Sequence, residues 1–258
     1  MNFIHPAAQP LFCRVGLAVL GLLLLCGSSG CRLWSRNRNV DGVRYYQQGQ
    51  YPVALQRFEQ ARQANPKNAD AYYNLAAVMH RTGLQNRDPN QLAQAEANYN
   101  LCLDYNKDHV DCHRGLAVLL TETGRVPEAF RLLQNWTTTS PSSSDARVEL
   151  ARLYEEYGDP RTAELQLQQA LQLNLNNPRA HAALGRIKEQ TGDYPQALSN
   201  YQRSYTLNTF QPELANRIAL LKQRVGTTPG PQPYLAPQQP TGPPSLRSAG
   251  PFAPNRTY

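Results

Sequence analysis

Hydrophobic residues follow two regimes along this chain. From Val15 to Cys26 it runs VGLAVLGLLLLC with no polar interruption. Beyond Trp34 the apolar positions are spaced, and the spacing recurs. Ala54, Ala95, Ala129, Ala163 and Ala197 are each followed four residues later by a bulkier side chain: Phe58, Tyr99, Leu133, Leu167 and Tyr201. Residues four apart share one face of a helix, so each pair marks a helix with a single buried side. A glycine precedes each alanine: Gly49, Gly83, Gly124, Gly158 and Gly192, at intervals of 34, 41, 34 and 34 residues. Glycine ends a helix at least cost because it accepts a left-handed backbone. Pro127, Pro160 and Pro195 then stand where a following helix begins, at a site whose N–H has no helical partner. The pattern therefore predicts helix–turn–helix units in which the alanine lets the second helix press closely on the first.

Other residues keep the same register. Gly42 and Tyr45 precede Gly49, and Tyr51, Ala54, Phe58, Ala61 and Pro66 follow it; in the last copy Leu184 and Gly185 precede Gly192, and Tyr194, Ala197 and Tyr201 follow. This arrangement resembles the tetratricopeptide repeat, over roughly residues 35–210. The resemblance implies an all-α chain, a right-handed α-solenoid of five repeats at about 35–68, 69–109, 110–143, 144–177 and 178–211. One helix pair cannot bury its apolar face alone, so stacking stabilises the array and its end needs a cap. Pro212 to Val225, PELANRIALLKQRV, supplies a capping helix with Leu214, Ile218 and Leu221 on one face, closed by Gly226. Residues 226–258 hold nine of the 20 prolines and are expected to form a disordered tail. The 41-residue interval leaves seven extra residues, about Gln85 to Gln91, expected to lengthen the turn inside the second repeat. That is either a tolerated surface insertion or a binding loop.

The first apolar run has the length of a signal-peptide core and falls short of the ~20 residues that span a bilayer. Arg14 precedes it and the small residues GSSG follow, so residues 1–30 read as an export signal. Ser28-Ser29-Gly30-Cys31 resembles a bacterial lipobox, with Ser28 where that family favours Leu. The resemblance implies cleavage before Cys31, a diacylglycerol on its sulfur, residues 31–34 as a linker, and a bacterial cell-envelope location facing the periplasm. Arg32 is not the aspartate that retains such proteins in the inner membrane, which favours the outer one. An uncleaved single-pass anchor gives the same topology by another tether. The net charge of +7 is concentrated just beyond: seven basic residues against two acidic ones lie between Arg32 and Asn68. Such a stretch is drawn to anionic headgroups at roughly 1 kcal/mol per charge near the surface.

Candidate chemistry is sparse. Cys102, His109, Cys112 and His113 are ligand types for zinc. The repeat register argues against it, because His113 and His181 share one repeat position, where a packing side chain belongs. Cys102 and Cys112 flank one inter-repeat turn, and an exported chain meets an oxidising compartment, so a disulfide is the better reading. No phosphate-cradling loop, Ser-His-Asp arrangement or carboxylate pair stands out. The chain is thus read as a non-enzyme with no cofactor, metal or small-molecule substrate, and export with no interleaved stacking aromatics argues against nucleic acid.

The repeat resemblance also implies a groove lined by the first helices, in which a protein or peptide partner binds. Aligning the repeats places Tyr46, Tyr73, Asn74, Arg114, Val118, Arg152 and Arg186 there. Arg152 and Arg186 occupy one repeat position in adjacent copies and suit a partner's carboxylate, unless Glu149, Glu155, Glu156 and Glu189 engage them in an internal ladder. The carboxylate clamp of chaperone-binding family members is absent: its positions hold Asn39, Val43, Asn74, Asp111 and Gly115. By architecture the chain is similar to envelope lipoproteins that assist pilus or outer-membrane protein assembly. A structural tether, with the tail spanning from the membrane towards the cell wall, is the competing expectation.

Overall fold

The computed structural model describes residues 37–227. The expected export signal over 1–30, Cys31, the expected linker and the tail from residue 228 lie outside the described residues. Those described form eleven α-helices and no strand, in two compact units divided between Arg125 and Val126. The first unit holds α1 (37–47), α2 (Tyr51–Ala64), α3 (Ala69–Asn86), α4 (Pro89–Tyr105) and α5 (Val110–Glu122). The second holds α6 (Val126–Thr139), α7 (Ser144–Glu156), α8 (Pro160–Leu173), α9 (Pro178–Gln190), α10 (Tyr194–Leu207) and α11 (Pro212–Thr227). In the first unit α3 packs on α2, α4 and α5; in the second α9 packs on α7, α8 and α10. From α2 to α5 in the first unit and from α6 to α11 in the second, each helix meets its chain neighbour, and the first helices α3 and α5, and α7 and α9, also meet. The all-α class of stacked helix–turn–helix pairs holds within each unit.

The turns explain the glycine spacing. Gly49, Gly124, Gly158 and Gly192 have φ between 74° and 82°. At Gly158 the two N–H groups past the helix fold back on orphan carbonyls, Gly158 N to Glu155 O at 3.1 Å and Asp159 N to Tyr154 O at 2.8 Å. Gly83 behaves differently, and the expected long turn is not there. It lies inside α3, and the left-handed residue is Arg87, φ 53°, with Asp88 N donating to Gly83 O at 2.8 Å. The same tight turn has moved four residues along the chain, and three more residues extend the start of α4. Helices α3 and α4 have 18 and 17 residues against 13 or 14 in the other full pairs. Seven residues are close to two turns of 3.6, so the insertion lengthens both helices without rotating Ala95 or Tyr99 off the core face.

The repeated alanines and the bulky residues four positions on are all buried. At Gly185 the close approach is extreme: a Cβ built there would lie 2.5 Å from Cδ1 of Tyr201. Tyr99 reaches instead to the next repeat, its ring 2.6 Å from a Cβ built on Gly115. Between repeats, Asn65, Asn106, Asn174 and Asn208 each end a helix and accept the N–H two residues later, at 3.1 to 3.2 Å. One further contact repeats at a fixed interval. Tyr72 donates to Pro66 O at 3.0 Å, and Nε2 of His113 and of His181 meet Lys107 O and Leu175 O at 2.9 and 3.0 Å. These side chains pin the turn ahead of their own helix, which is why two histidines occupy one repeat position. The cap behaves as expected, with Leu214, Ile218 and Leu221 buried against Ala197 and Tyr201. Gly226 does not close it: α11 continues through that residue to Thr227.

Candidate protein-binding faces on the first helices

In the first unit the face is built from aromatic rings. Tyr46 at the end of α1 and Tyr73 near the start of α3 are half-buried. The Tyr73 ring stacks on His109 at 5.6 Å and tilts against Tyr99 at 6.3 Å. His109 is itself fixed: Nδ1 accepts from Cys112 N at 3.3 Å as the cap of α5, and Nε2 meets Asp70 at 3.0 Å. That hydrogen bond holds the Asp70 carboxyl below the ordinary carboxylate range. His80 stands edge-on to Tyr99 at 6.1 Å, and its Nε2 meets Glu122 at 2.9 Å.

The three phenols form one electrostatic group. Burial pushes the Tyr46, Tyr73 and Tyr99 hydroxyls above the ordinary tyrosine range; Tyr51 adds to this at Tyr46, Asp111 and then Tyr46 at Tyr73, and Tyr73 and Tyr46 at Tyr99. Arg81 opposes this at Tyr46, and Arg114 opposes it at Tyr73. Tyr46 and Arg114 are near enough to Tyr73 to act electrostatically on its hydroxyl; Val118, half-buried, lies one turn beyond Arg114 on α5. Arg114 also meets Asp111 at 3.1 Å. Asn74 is half-buried on α3. The Tyr46 and Tyr73 hydroxyls make no hydrogen bond to a described residue, so each retains a donor and acceptor for a ligand. Tyr99 lies in the core as its spacing predicts, whereas sequence reasoning passed over His80, Arg81 and Glu122. The signal was present: a tyrosine where Phe58, Leu133 and Leu167 stand elsewhere brings a hydroxyl that needs polar company.

In the second unit the internal ladder, one of the two arrangements the sequence allows, is the one that forms. Arg152 and Arg186 are not a pair awaiting a partner's carboxylate. Arg152 meets Glu149 at 3.3 Å and Glu156 at 2.8 Å. Arg186 makes a two-pronged contact with Glu155, both bonds 2.7 Å, joining α9 to α7. Glu149 is fully buried and also meets Arg179, which bonds Asp145 at 3.2 Å. Arg217 on α11 meets Glu189 at 2.6 Å. The internal ladder is what forms, because carboxylates sit one helical turn or one repeat from each arginine.

Cys102 and Cys112 are joined as a disulfide between α4 and α5, with Cα atoms 6.5 Å apart. Their sulfurs and a ring nitrogen of His109 lie within 4.8 Å of one another, the nearest approach to a ligand set among the described residues. With both sulfurs bonded together neither is a thiolate, so the pair is a staple. Closing a loop this short is worth about 2 to 3 kcal/mol in the chain-entropy description. Reduction, or Cys102→Ser with Cys112→Ser, should speed amide exchange in α4 and α5 by that free energy and leave the second unit unchanged. Equal exchange with and without reductant would show that the bridge carries no stability.

Residues 42–83 match the model of the TPR repeat, and residues 127–187 match that of the tetratricopeptide repeat. No curated protein matches the sequence. The chain is similar to TTC0263, a thermophilic TPR protein in Thermus thermophilus, at 24% identity and a TM-score of 0.56, over 73% of this chain and 99% of that one. It is similar also to a chain of the APC/C hetero-tetramer Cut9-Hcn1, at 17% identity and 0.53, over 77% and 40%. Pseudomonas aeruginosa pilF aligns at 21% identity and 0.49, over 77% and 88%. The first two likenesses show the fold. The two matched stretches, one in each unit, resemble tetratricopeptide repeats.

Proposed function

We propose that the chain is an exported scaffold of the bacterial cell envelope, tethered by lipid on Cys31, that holds a protein or peptide on the tyrosine face of its first unit. The observation that supports the binding role is the half-buried ring of Tyr73, stacked on His109 at 5.6 Å and backed by the buried ring of Tyr99 at 6.3 Å, with Tyr46 half-buried at the end of α1. Tyrosine contributes large contact area at low entropic cost and is enriched where partners bind. The self-paired arginines of α7 and α9 make that face a poorer receptor, since a ligand would first have to displace Glu155 or Glu149. The tether rests on the apolar run and the residues leading to Cys31. No helix among the described residues is long and apolar enough to cross a membrane.

One cell-based experiment tests both halves. Cross-linking followed by affinity purification and mass spectrometry compares the native chain with Tyr46→Ala/Tyr73→Ala and with Cys31→Ser. The native chain should enrich a specific protein that the tyrosine variant loses, and Cys31→Ser should leave the membrane fraction. Unchanged partners in the tyrosine variant would refute the face, and membrane retention of Cys31→Ser would refute the lipid.

A further inference from the structure

At the boundary between α4 and α5, three repeat positions carry metal-ligand side chains where other repeats do not. Where Cys102 stands, other repeats place Ala61, Trp136 and Ala170, and where Cys112 stands they place Ala71, Ala146 and Ala180. The cap held by His109 is Asn68, Ser143 or Asn177 in the others. A disulfide accounts for the two cysteines and leaves the histidine unexplained, since Asn and Ser are the stronger caps. We propose that, once a dithiol reductant opens the bridge, Cys102, Cys112 and His109 bind one zinc ion, so that staple and metal site are alternative states of one locus. His113 is no part of it, because its Nε2 is taken by Lys107 O at 2.9 Å. The site stands independently of the tyrosine face.

The two sulfurs and a ring nitrogen of His109 lie within 4.8 Å of one another. Ligand atoms around tetrahedral zinc stand about 3.5 to 3.8 Å apart, given bonds of about 2.0 Å to nitrogen and 2.3 Å to sulfur. Opening the bridge lets the sulfurs part to that spacing, and the ring nitrogen needs only a small approach. The histidine is already oriented for the task. Nδ1 accepts from Cys112 N at 3.3 Å and so carries no proton, which leaves the proton of the neutral ring on Nε2, facing Asp70 at 3.0 Å. A carboxylate behind the far nitrogen is the common second partner of a metal-bound histidine; it fixes the tautomer and strengthens the donor. The lone pair of Nδ1 thus points to the Cys112 side, where the ion would take it over from the helix cap. Two thiolates and a neutral imidazole carry two negative charges, which a divalent ion cancels; the sulfurs have no exposed surface, so a neutral assembly is favoured over the net charge that copper(I) would leave. The His109 side chain is 11% exposed and gives the ion its way in. The chemistry balances: the dithiol passes two electrons and two protons to the bridge and becomes a disulfide itself, and zinc then displaces both thiol protons.

The test uses the full-length chain in detergent, reduced with a phosphine and titrated with cobalt(II) as a coloured stand-in for zinc. The reduced chain should take up one equivalent and show thiolate-to-cobalt charge-transfer absorption, zinc should bleach that band, and the oxidised chain should show none. Cys102→Ser/Cys112→Ser should abolish the band, which separates this site from Cys13, Cys26 and Cys31. Asp70→Ala removes an exposed side chain and leaves all three ligands, and should weaken zinc binding about tenfold or more. His109→Ala should weaken it further. If reduction alone lowers helix content, zinc should restore it, and in the folded chain zinc should slow alkylation of both cysteines. Absence of the band in the reduced chain, or an equal band from the double serine variant, overturns the site. Unchanged affinity in both His109→Ala and Asp70→Ala removes the imidazole ligand and with it the proposal, leaving an ordinary disulfide.

Discussion

Gly185→Val should destabilise the second unit by about 3 kcal/mol, at the upper end of overpacking costs. A Cβ at this position lies 2.5 Å from Cδ1 and 2.6 Å from Cε1 of Tyr201, closer than real side chains approach. Relief would require the ring to move, and the ring is held at both ends. Its body is buried in the cluster with Leu214, Ile218 and Leu221, and its hydroxyl donates to Glu189 at 2.9 Å. Glu189 is in turn fixed by Arg217 at 2.6 Å. Valine offsets little of this through helix propensity, which favours it over glycine by only a few tenths of a kcal/mol. Gly226→Val is the matched control, because nothing lies within 4 Å of a Cβ built there. Urea unfolding followed by the fluorescence of Trp136, buried in the second unit, reads both. Similar midpoints for the two variants would show that Tyr201 yields more easily than its contacts imply.

Periodic features were readable from sequence because one physical constraint acts on every copy. The alanine contact point, the bulky residue a turn later and the left-handed glycine recur since each helix pair solves the same packing problem. Two features were not settled by periodicity. The insertion was read as a loop because Gly83 sits at the turn position of its repeat, yet spacing alone cannot distinguish seven loop residues from two added helical turns. Leu84 to Asn86 and Asn90 to Gln94 contain no helix breaker, and Asp88-Pro89 supplies a cap and first helical residue; the side chain of Asp88 accepts from Asn90 N and Gln91 N. That signal was available. The arginine face stayed undecided for a different reason. Register placed Arg152 and Arg186 on the right helices, but whether a guanidinium meets solvent or a neighbouring carboxylate depends on cross-repeat distances that a linear pattern does not contain. The tyrosine face lies between these cases: Tyr46 and Tyr73 followed from register, whereas the contribution of Tyr99 required seeing its ring extend past its own repeat to Gly115.

The arginine ladder makes its own prediction, and the largest effect falls on the carboxylate that reaches no solvent. Glu149→Ala should cost about 3 kcal/mol, the lower end for breaking a buried ion pair by removing one partner. Glu149 has no exposed surface and holds two guanidiniums, those of Arg152 and Arg179. Its loss leaves Arg152 Nη2, already buried without a hydrogen-bond partner, beside an empty acceptor site. The lower end applies because the arginine side chains retain 28% and 36% of their exposure and can rehydrate in part. Arg186→Ala touches the same ladder at its rim, where the guanidinium is 45% exposed, and should cost under about 1 kcal/mol. Glu149→Leu combined with Arg179→Leu should recover much of the loss, since an apolar pair of similar volume often replaces a buried ion pair at little cost. Urea midpoints read through Trp136 rank the variants. The reverse order, with Arg186→Ala the more damaging, would mean that the exposed bridge from α9 to α7 rather than the buried carboxylate holds these repeats together.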